Sequence, residues 1–235
     1  MTRRRWIADE VDGDRGALVG AHAAHLARVL RARVGQEFDI STGEVLRRGR
    51  VTVVTDERVE FDLGPVVEAE KGIALTLVLA IFKFDRFEWA LEKCTELGAS
   101  RVVPVIARRT DTHLAKAAEK RVERWRKIAR EAAEQSRRIT VPEIAEPVKL
   151  KQALTTDAAV RCLLSESEDL TTLRAVVEAN PEAESLALAI GPEGGWSEEE
   201  LKAFAEAGWI SASLGETILR AETAAIASTV LAMMG

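Results

Sequence analysis

The apolar run LALAI at residues 186–190 is followed at once by the turn GPEGGWSEEE at 191–200. Consecutive apolar residues bounded by turn residues are typical of a buried strand. The glycines and proline that follow allow a sharp turn, because glycine carries no Cβ and proline fixes φ. Ser197 then precedes a run of glutamates, which is the pattern of a capped helix start. The stretch therefore predicts a strand, a tight turn and a helix in direct succession.

The same strand-and-helix unit recurs through the rest of the chain. Apolar runs predict strands, and stretches with apolar residues three and four positions apart predict the helices between them. Such alternation indicates an α/β fold, with a mostly parallel sheet and helices on both faces, in one domain over residues 73–235. The predicted strands are 75–81, 101–107, 160–166, 186–190 and 209–215, and the predicted helices are 87–98, 114–138, 169–179, 197–208 and 220–234.

Residues 1–70 predict a separate, small β-rich domain. Segments whose apolar and polar residues alternate are typical of half-buried strands. A helix is predicted over 21–35, where it would end at a glycine, and the segment 64–72 predicts a linker. The predicted strands are 37–41, 50–55 and 58–63, and the inward residues of the helix are Leu26, Val29 and Leu30.

Composition limits the class of protein. Hydrophobic residues make up 47% of the chain, yet its apolar runs are far shorter than a membrane span and its start lacks the apolar segment of a signal peptide. We therefore expect a cytoplasmic protein without a membrane partner. Cys94 and Cys162 lie in apolar patterns and outside any CxxC pair, so neither a disulfide nor a zinc site is expected. His22 and His25 share a predicted helix face, but no third ligand accompanies them, and no metal is expected.

The charge is divided unevenly along the sequence. The net charge of −5 is made up of −2 over residues 1–70, +6 over 71–150 and −9 over 151–235. A polyanion such as RNA would be attracted to the middle third and repelled by the last. The turn GPEGG lies in the acidic third.

This turn differs from the known phosphate-binding turns. A P-loop needs a Lys-Ser/Thr pair after its glycines, and a dinucleotide fold needs GxGxxG at its first helix, and neither pattern is present. Glu193 and the glutamates at 198–200 would repel a phosphate from the helix end that otherwise attracts anions. A ligand at this turn would therefore be neutral or cationic. The alternative is a tight strand-to-helix connection that binds nothing.

A second glycine turn, SLGETILRAET at 213–223, occupies the same position in the next strand-and-helix unit. We expect the two turns to lie at the ends of neighbouring strands and to form a crevice, which is where open α/β sheets bind ligands. Arg220 and Glu222 stand at the start of the last helix. They either face a ligand and a partner or form an ordinary ion pair at a helix start.

Basic residues form a third group. Lys83 and Arg86 lie near the start of a predicted helix, and EQSRR at 134–138 ends the long helix on two arginines. Arginines at a helix C-terminus also oppose its dipole, and a long basic helix is typical of a solvated face. The regional excess of +6 favours an RNA-facing surface instead. Trp89 and Trp125 fall on apolar helix stripes and are assigned to the core rather than to stacking on bases.

Together these stretches resemble the ribosomal RNA small subunit methyltransferase E family, of the SPOUT class. The resemblance implies methylation of N3 of one uridine in 16S rRNA, by a homodimer that uses S-adenosylmethionine. It also implies a C-terminal domain tied in a trefoil knot and a small N-terminal PUA-like β-barrel that helps to bind RNA. The stretches that carry it are HLARVLRARVG at 25–35, FKFDRFEWALEKCTELGASRVVPV at 82–105, WRKIAREAAEQSRRITVPEI at 125–144, IGPEGGWSEEE at 190–200 and LGETILRAETAAI at 214–226.

The resemblance also implies roles for individual residues. The sulfonium cation of S-adenosylmethionine suits an acidic, glycine-lined pocket. Since N3 of uridine must lose a proton, Arg220 is assigned to stabilising the resulting anion, and Glu222 or Glu193 to orientation or proton removal. The residues expected around the cofactor are Leu163, Gly191, Pro192, Glu193, Gly194, Gly195, Leu214, Gly215, Ile218, Leu219 and Thr223. The residues expected to bind RNA are Arg28, Arg31, Lys83, Arg86, Arg137 and Arg138.

Other hypotheses stay open at this point. The chain could be another SPOUT enzyme that methylates a ribose hydroxyl or a different base. It could also be a non-catalytic RNA-binding or ribosome-assembly factor, which has the fold but no need of S-adenosylmethionine. Plain structural packing at both glycine turns is the third alternative, and it would leave the function undetermined.

Overall fold

The computed structural model describes residues 5–43, 45–67, 72–136 and 138–234. The chain divides into two compact units. The first comprises Met1–Lys71 with Ala133–Val141, and the second comprises Gly72–Ala132 with Pro142–Gly235.

The first unit is built on a six-stranded mixed sheet with the order β1-β4-β5-β6-β3-β2. The β1 and β4 strands are parallel, and the other pairs are antiparallel. Among the described residues the pairing path ends at β1 and β2, so the sheet is an open one. The strands are β1 Arg5–Ile7, β2 Glu10–Asp12, β3 Arg15–Val19, β4 Glu37–Ser41, β5 Leu46–Val54 and β6 Arg58–Val67.

The β5 and β6 strands are longer than the sequence predicts. Leu46 pairs with Val67 at their far end, and Arg47 Nε donates to the Gly64 carbonyl at 2.7 Å. The prediction that residues 64–72 form a linker is therefore wrong over its first part. Tertiary pairing extends these strands through two glycines, a proline and two arginines, and local propensity does not favour glycine or proline in a strand.

The predicted helix over 21–35 is also shorter in the structure. The α1 helix, Gly20–Ala24, continues as a π-helical turn over His25–Val29. Arg31 then has a φ of 51°, a left-handed conformation that stops a helix. Leu26 is fully buried as expected, but Val29 is 64% exposed, so its assignment to the core is wrong. The wider π-turn rotates Val29 away from the face that Leu26 buries.

Residues 133–136 and 138–141, which belong to the first unit, make polar contacts with its other residues. His22 lies between two carboxylates, with its Nδ1 3.0 Å from Asp9 and its Nε2 3.0 Å from Glu134. Ser41 Oγ donates to the Ile139 carbonyl. Both ring nitrogens of His22 thus already have carboxylate neighbours. Among the described residues no group of three or more His, Cys, Asp or Glu side chains is placed to hold a metal ion.

The second unit is built on a seven-stranded sheet in which every pair is parallel. The order is β10-β8-β7-β12-β11-β13, and β9 also pairs with β8. This is the α/β fold with a parallel sheet that the sequence predicts. The strands are β7 Ala74–Ala80, β8 Arg101–Ile106, β9 Glu143–Ile144, β10 Val148–Lys149, β11 Val160–Leu164, β12 Ser185–Ile190 and β13 Ile210–Ala212.

The central strands are apolar along their whole length because both faces of the sheet are covered. One face packs against the Trp196 and Phe204 rings, next to α7. The other carries Leu77 and Leu188, both 0% exposed, and α8 contacts β7 and β12. The helices are α2 Phe84–Leu97, α3 Thr112–Ala117, α4 Val122–Gln135, α5 Leu150–Ala153, α6 Leu173–Glu178, α7 Glu198–Glu206 and α8 Ala221–Met234.

The long helix predicted over 114–138 is broken in the structure. It consists of α3, a 3₁₀ turn at Glu119–Arg121 and α4. Trp125 of α4 is buried, with its ring centroid 4.6 Å from that of Phe87. Trp89, by contrast, is 49% exposed, so its assignment to the core is wrong. No described helix is long and apolar enough to cross a membrane.

Candidate cofactor and catalytic site

The GPEGG turn follows β12 directly and is tightly closed. The Gly195 amide donates to the Pro192 carbonyl at 2.8 Å, and Gly195 has a φ of 69°, which favours glycine. A Cβ at Gly191 would lie 3.2 Å from Nε1 of Trp196. Glycine is therefore favoured at Gly195 by the backbone conformation and at Gly191 by the close approach of the Trp196 ring.

The glutamates after the turn have different roles. Glu200 is 6% exposed, and its two oxygens accept from the amides of Ser197 and Arg108, each at 2.8 Å. Glu199 pairs with Arg108 at 2.9 Å. Ser197 and Glu200 form the capping box that starts α7, as the sequence predicts. The buried carboxylate is thus a structural clamp that joins α7 to the loop after β8.

That loop, at residues 107–111, was not among the sequence-predicted site residues. Arg109 Nη1 donates to the Gly194 carbonyl, which fixes the GPEGG turn from outside. Thr110 Oγ1 donates to the Ile81 carbonyl at 3.1 Å, just after β7. The sequence could have indicated this loop by its position alone. It follows a predicted parallel strand, and ligands bind at the edge where such strands end.

The second glycine turn follows β13. The prediction that the two turns end neighbouring strands is wrong, because β11 lies between β12 and β13 in the sheet. The loop after β11 therefore belongs to the same edge. Ser213 donates through its amide to the Thr171 carbonyl at 2.8 Å, and Gly215 has a φ of 118°. Glu168 accepts from the amides of Leu170 and Thr171 in this loop, which lowers the pKa of its carboxyl.

An arginine joins the two glycine turns to α2. Arg86 Nη1 lies 3.1 Å from Glu193 Oε1 and 3.7 Å from Glu222 Oε1. Glu193 lies in the GPEGG turn after β12. Arg86 lies in the first helical turn of α2, and Glu222 lies in the first helical turn of α8. The sequence placed both carboxylates in the site but assigned Arg86 to RNA. In the structure the guanidinium contacts both carboxylates.

Comparison with known proteins identifies the family of the chain. A family model described as an RNA methyltransferase domain matches residues 69–233. The ribosomal RNA small subunit methyltransferase E of Bacillus subtilis is 30% identical over 218 residues, which are 88% of this chain and 85% of that protein. The chain belongs to this methyltransferase E family. The Aquifex aeolicus member is 34% identical, over 85% of this chain and 86% of its own.

Solved structures of similar proteins extend the comparison. The ribosomal RNA small subunit methyltransferase E of Neisseria gonorrhoeae, bound to S-adenosyl methionine, superposes with a TM-score of 0.80 at 27% identity. The match covers 97% of this chain and 96% of that one. A putative methyltransferase of Legionella pneumophila in complex with the same molecule gives a TM-score of 0.79 at 27% identity, over 98% of this chain and 97% of that one.

The other predicted cofactor positions of this methyltransferase E chain lie along the same sheet edge. Leu163 is 3% exposed on β11, and its register partners are Ala189 of β12 and Ser211 of β13. Pro192 is buried, and Leu214 and Leu219 are half-buried. Four of these other positions are exposed, namely Gly194, Gly215, Ile218 and Thr223. Arg220, predicted to be catalytic, is exposed as well.

The predicted RNA-binding residues are distributed over both units. Arg28 and Arg31 belong to the first unit and are exposed, and Arg28 pairs with Asp56 at 2.7 Å. Arg138 also belongs to the first unit, where burial lowers the pKa of its guanidinium. Lys83 belongs to the second unit and is exposed. Arg137 lies outside the described residues.

Part of the positive charge of the middle third is neutralised within the second unit. Arg121 and Arg124 of the α3–α4 region lie 3.3 Å and 2.9 Å from Glu88 of α2. Arg126 pairs with Glu123 at 2.5 Å and with Glu146 at 2.9 Å. These arginines therefore have carboxylate partners, and the net charge of +6 over residues 71–150 already includes those carboxylates.

Proposed function

We propose that this protein transfers a methyl group from S-adenosylmethionine to N3 of a uridine in the 16S rRNA of the small ribosomal subunit. The observation that carries the proposal is the group formed by Glu193, Arg86 and Glu222 at the glycine turns, with one net negative charge. Membership of the methyltransferase E family and the S-adenosyl methionine bound to the Neisseria relative support it.

The site fits such a cofactor on chemical grounds. It offers open backbone at Gly215, where a Cβ would meet nothing within 4 Å, carboxylates for a positive centre, and no lysine of a P-loop kind. When bound, S-adenosylmethionine supplies a methyl group on a positively charged sulfur that leaves as a neutral thioether. The residues proposed to hold it are Leu163, Gly191, Pro192, Glu193, Gly194, Gly195, Leu214, Gly215, Ile218, Leu219 and Thr223.

The protein's own part in the reaction is to position the uridine and to manage one proton. N3 of uridine carries a hydrogen that must be removed before N3 can bond to carbon. Arg220, exposed just before α8, stabilises the negative charge that develops on the base. Glu222 or Glu193 accepts the proton or orients the base. Holding the two reactants in line supplies much of the remaining acceleration.

The wider organisation proposed for the molecule follows the family. Residues 1–70 form a PUA-like RNA-binding domain, built on the open sheet rather than on the closed barrel that the sequence resemblance implies. Residues 73–235 form the SPOUT methyltransferase domain with its trefoil knot. The protein acts in the cytoplasm as a homodimer, with the half-buried apolar residues of α8 as the interface. The residues proposed to bind RNA are Arg28, Arg31, Lys83, Arg137 and Arg138, with Arg86 discussed below.

The test is incubation of the protein with methyl-labelled S-adenosylmethionine and small ribosomal subunits that lack the modification. Digestion of the 16S rRNA and mass spectrometry of its nucleosides should give labelled 3-methyluridine. A label on a ribose or on another base would reject the N3 assignment, and absence of both label and cofactor binding would reject the enzyme itself. Arg220→Ala should lower kcat at saturating RNA, whereas Arg101→Gln, which removes an Arg–Glu pair at the other end of β8, should not.

A further inference from the structure

The side chains of Glu193, Arg86 and Glu222 form a row that leads from solvent into the second unit. Their exposed fractions fall in that order, 38%, 31% and 7%. Arg86 is in contact with both carboxylates through one nitrogen, Nη1. It hydrogen bonds to Glu193 at 3.1 Å, but its 3.7 Å separation from Glu222 is an ion pair without a hydrogen bond. Glu222, the buried carboxylate, therefore receives no hydrogen bond from Arg86, whereas the exposed Glu193 does.

Glu222 retains an unused acceptor. Its Oε2 is buried and has no hydrogen-bond partner among the residues that the structure describes. A buried carboxylate oxygen without a donor costs free energy, and native proteins keep few of them. Glu222 lies in the first turn of α8, where the helix dipole favours a negative charge, and its neighbour Ala221 is also buried. The carboxylate is therefore held in place by the helix but lacks a donor.

The geometry points to Glu222 as the group that accepts the uridine N3 proton, with Arg86 as its positioning residue. This assignment rests on the proposed function and selects between the two carboxylates that it leaves open. The N3–H bond breaks, an O–H bond forms at Oε2 of Glu222, and the electron pair left on N3 bonds to the methyl carbon. The bond from that carbon to the donor sulfur would break in the same displacement, with its electron pair left on sulfur. Arg86 occupies the Oε1 side, so that Oε2 is the oxygen left for the substrate.

Glu193 is less suited to this role. Its side chain is 38% exposed, and it already accepts a hydrogen bond from Arg86. An exposed carboxylate forms hydrogen bonds to water, which compete with hydrogen bonds to the substrate. A buried carboxylate lacks this competition and accepts a proton from a donor that is placed beside it. Because Arg86 is shared, a cationic ligand that draws on Glu193 frees the guanidinium to shorten its 3.7 Å contact with Oε1 of Glu222, while Oε2 stays available. Binding at the exposed carboxylate thereby orders the buried one.

The decisive experiment measures kcat and KM for Glu222→Gln, Glu193→Gln, Arg86→Lys and Arg86→Gln with small subunits as substrate. Glu222→Gln should lower kcat by about 100-fold or more with the KM for RNA unchanged. Glu193→Gln should lower kcat by less than about fivefold. Arg86→Gln should lower kcat without raising the KM for RNA, and Arg86→Lys should restore part of it.

A substrate change separates proton removal from packing. RNA that carries 5-fluorouridine at the target has a more acidic N3–H, so it should reduce the kcat difference between Glu222→Gln and the wild type. No reduction would reject Glu222 as the acceptor, as would an equal loss in Glu193→Gln. A raised KM for RNA with normal kcat in Arg86→Gln would return Arg86 to RNA binding.

Ligand binding gives a readout that needs no turnover. Arg86→Gln removes the cation shared by two carboxylates, so calorimetry should show tighter binding of cationic S-adenosylmethionine relative to neutral S-adenosylhomocysteine, by roughly fivefold. An unchanged ratio would reject the shared role of Arg86. If the wild type binds both molecules but forms no 3-methyluridine, the proposed function fails while this ratio still tests Arg86. Circular dichroism on each variant checks that it folds.

Discussion

Cys94 and Cys162 are buried in the second unit, and burial raises the pKa of each thiol from 9.0 to about 12. The thiolate is the reactive form, so neither side chain should react with Ellman's reagent at pH 8 in the native protein. Both should react at once in urea. Because only the unfolded thiols ionise between pH 9 and about 12, the free energy of unfolding should fall as the pH rises through that range. Rapid reaction of either thiol in the native protein would contradict its burial.

Gly191 tests the close approach at the first glycine turn. In Gly191→Ala the new Cβ would lie 3.2 Å from Nε1 of Trp196, so the ring or the turn must shift by a few tenths of an ångström. We expect the affinity for S-adenosylmethionine to fall about tenfold and the stability by about 1 kcal/mol. Calorimetry and urea unfolding measure the two effects. Gly72→Ala is the matched control, because its Cβ would meet only Met233 at an ordinary 3.9 Å.

At this scale the sequence reveals residue types but not their pairing. Glu193 stands out in the sequence because a carboxylate in a glycine-rich turn would repel a phosphate, and Glu222 because it lies at the start of the last predicted helix. Arg86 was assigned to RNA because a count of charges does not show that two carboxylates 29 positions apart in sequence both contact it. Val29 and Trp89 are predicted as core residues because they lie on the apolar face of a helix. Helical spacing does not show which residues of that face other elements cover, and both side chains are exposed.

Among the elements, α7 depends on Glu200 more than on its other glutamates. In Glu200→Gln one oxygen must replace two, so either the Ser197 or the Arg108 amide loses its partner. We expect a loss of about 1–3 kcal/mol in the free energy of unfolding, measured in urea. The control is Glu199→Gln, whose side chain is 71% exposed and which should change stability by less than about 0.5 kcal/mol. Equal effects would show that the clamp is not needed.

Strands were easier to predict than their arrangement. The buried strands β7, β8, β11 and β12 follow from apolar runs, because a parallel sheet covered on both faces needs such runs. Their order does not follow, since nothing local places β11 between β12 and β13. For the same reason the loop at 107–111 was missed, although it fixes the GPEGG turn. The β1, β2 and β3 strands were missed because they are short and carry charged residues.

Over the whole molecule, the structure changes how the charge distribution is interpreted. The sequence gives +6 for residues 71–150, yet Arg121, Arg124 and Arg126 are each paired with glutamates. Those glutamates are already subtracted in the +6, so the ion pairs do not reduce the net charge but show which arginines have carboxylate partners. Exposed Arg31 of the first unit and Lys83 of the second are better candidates than the face of α4.

The salt dependence of RNA binding tests this distribution. Each phosphate contact contributes roughly 0.7 to the slope of log affinity against log salt for single-stranded RNA. Arg31→Gln combined with Lys83→Gln should therefore reduce the slope by about 1.4 and weaken binding at low salt, with the affinity for S-adenosylmethionine unchanged. Arg124→Gln, which removes a cation already paired with Glu88, should leave the slope within about 0.3 of the wild type. Filter binding of 16S rRNA fragments across a salt series measures both. If Arg124→Gln reduced the slope as much as the double substitution, the basic face of α4 would be the RNA-binding surface, and its ion pairs would have to open when RNA binds.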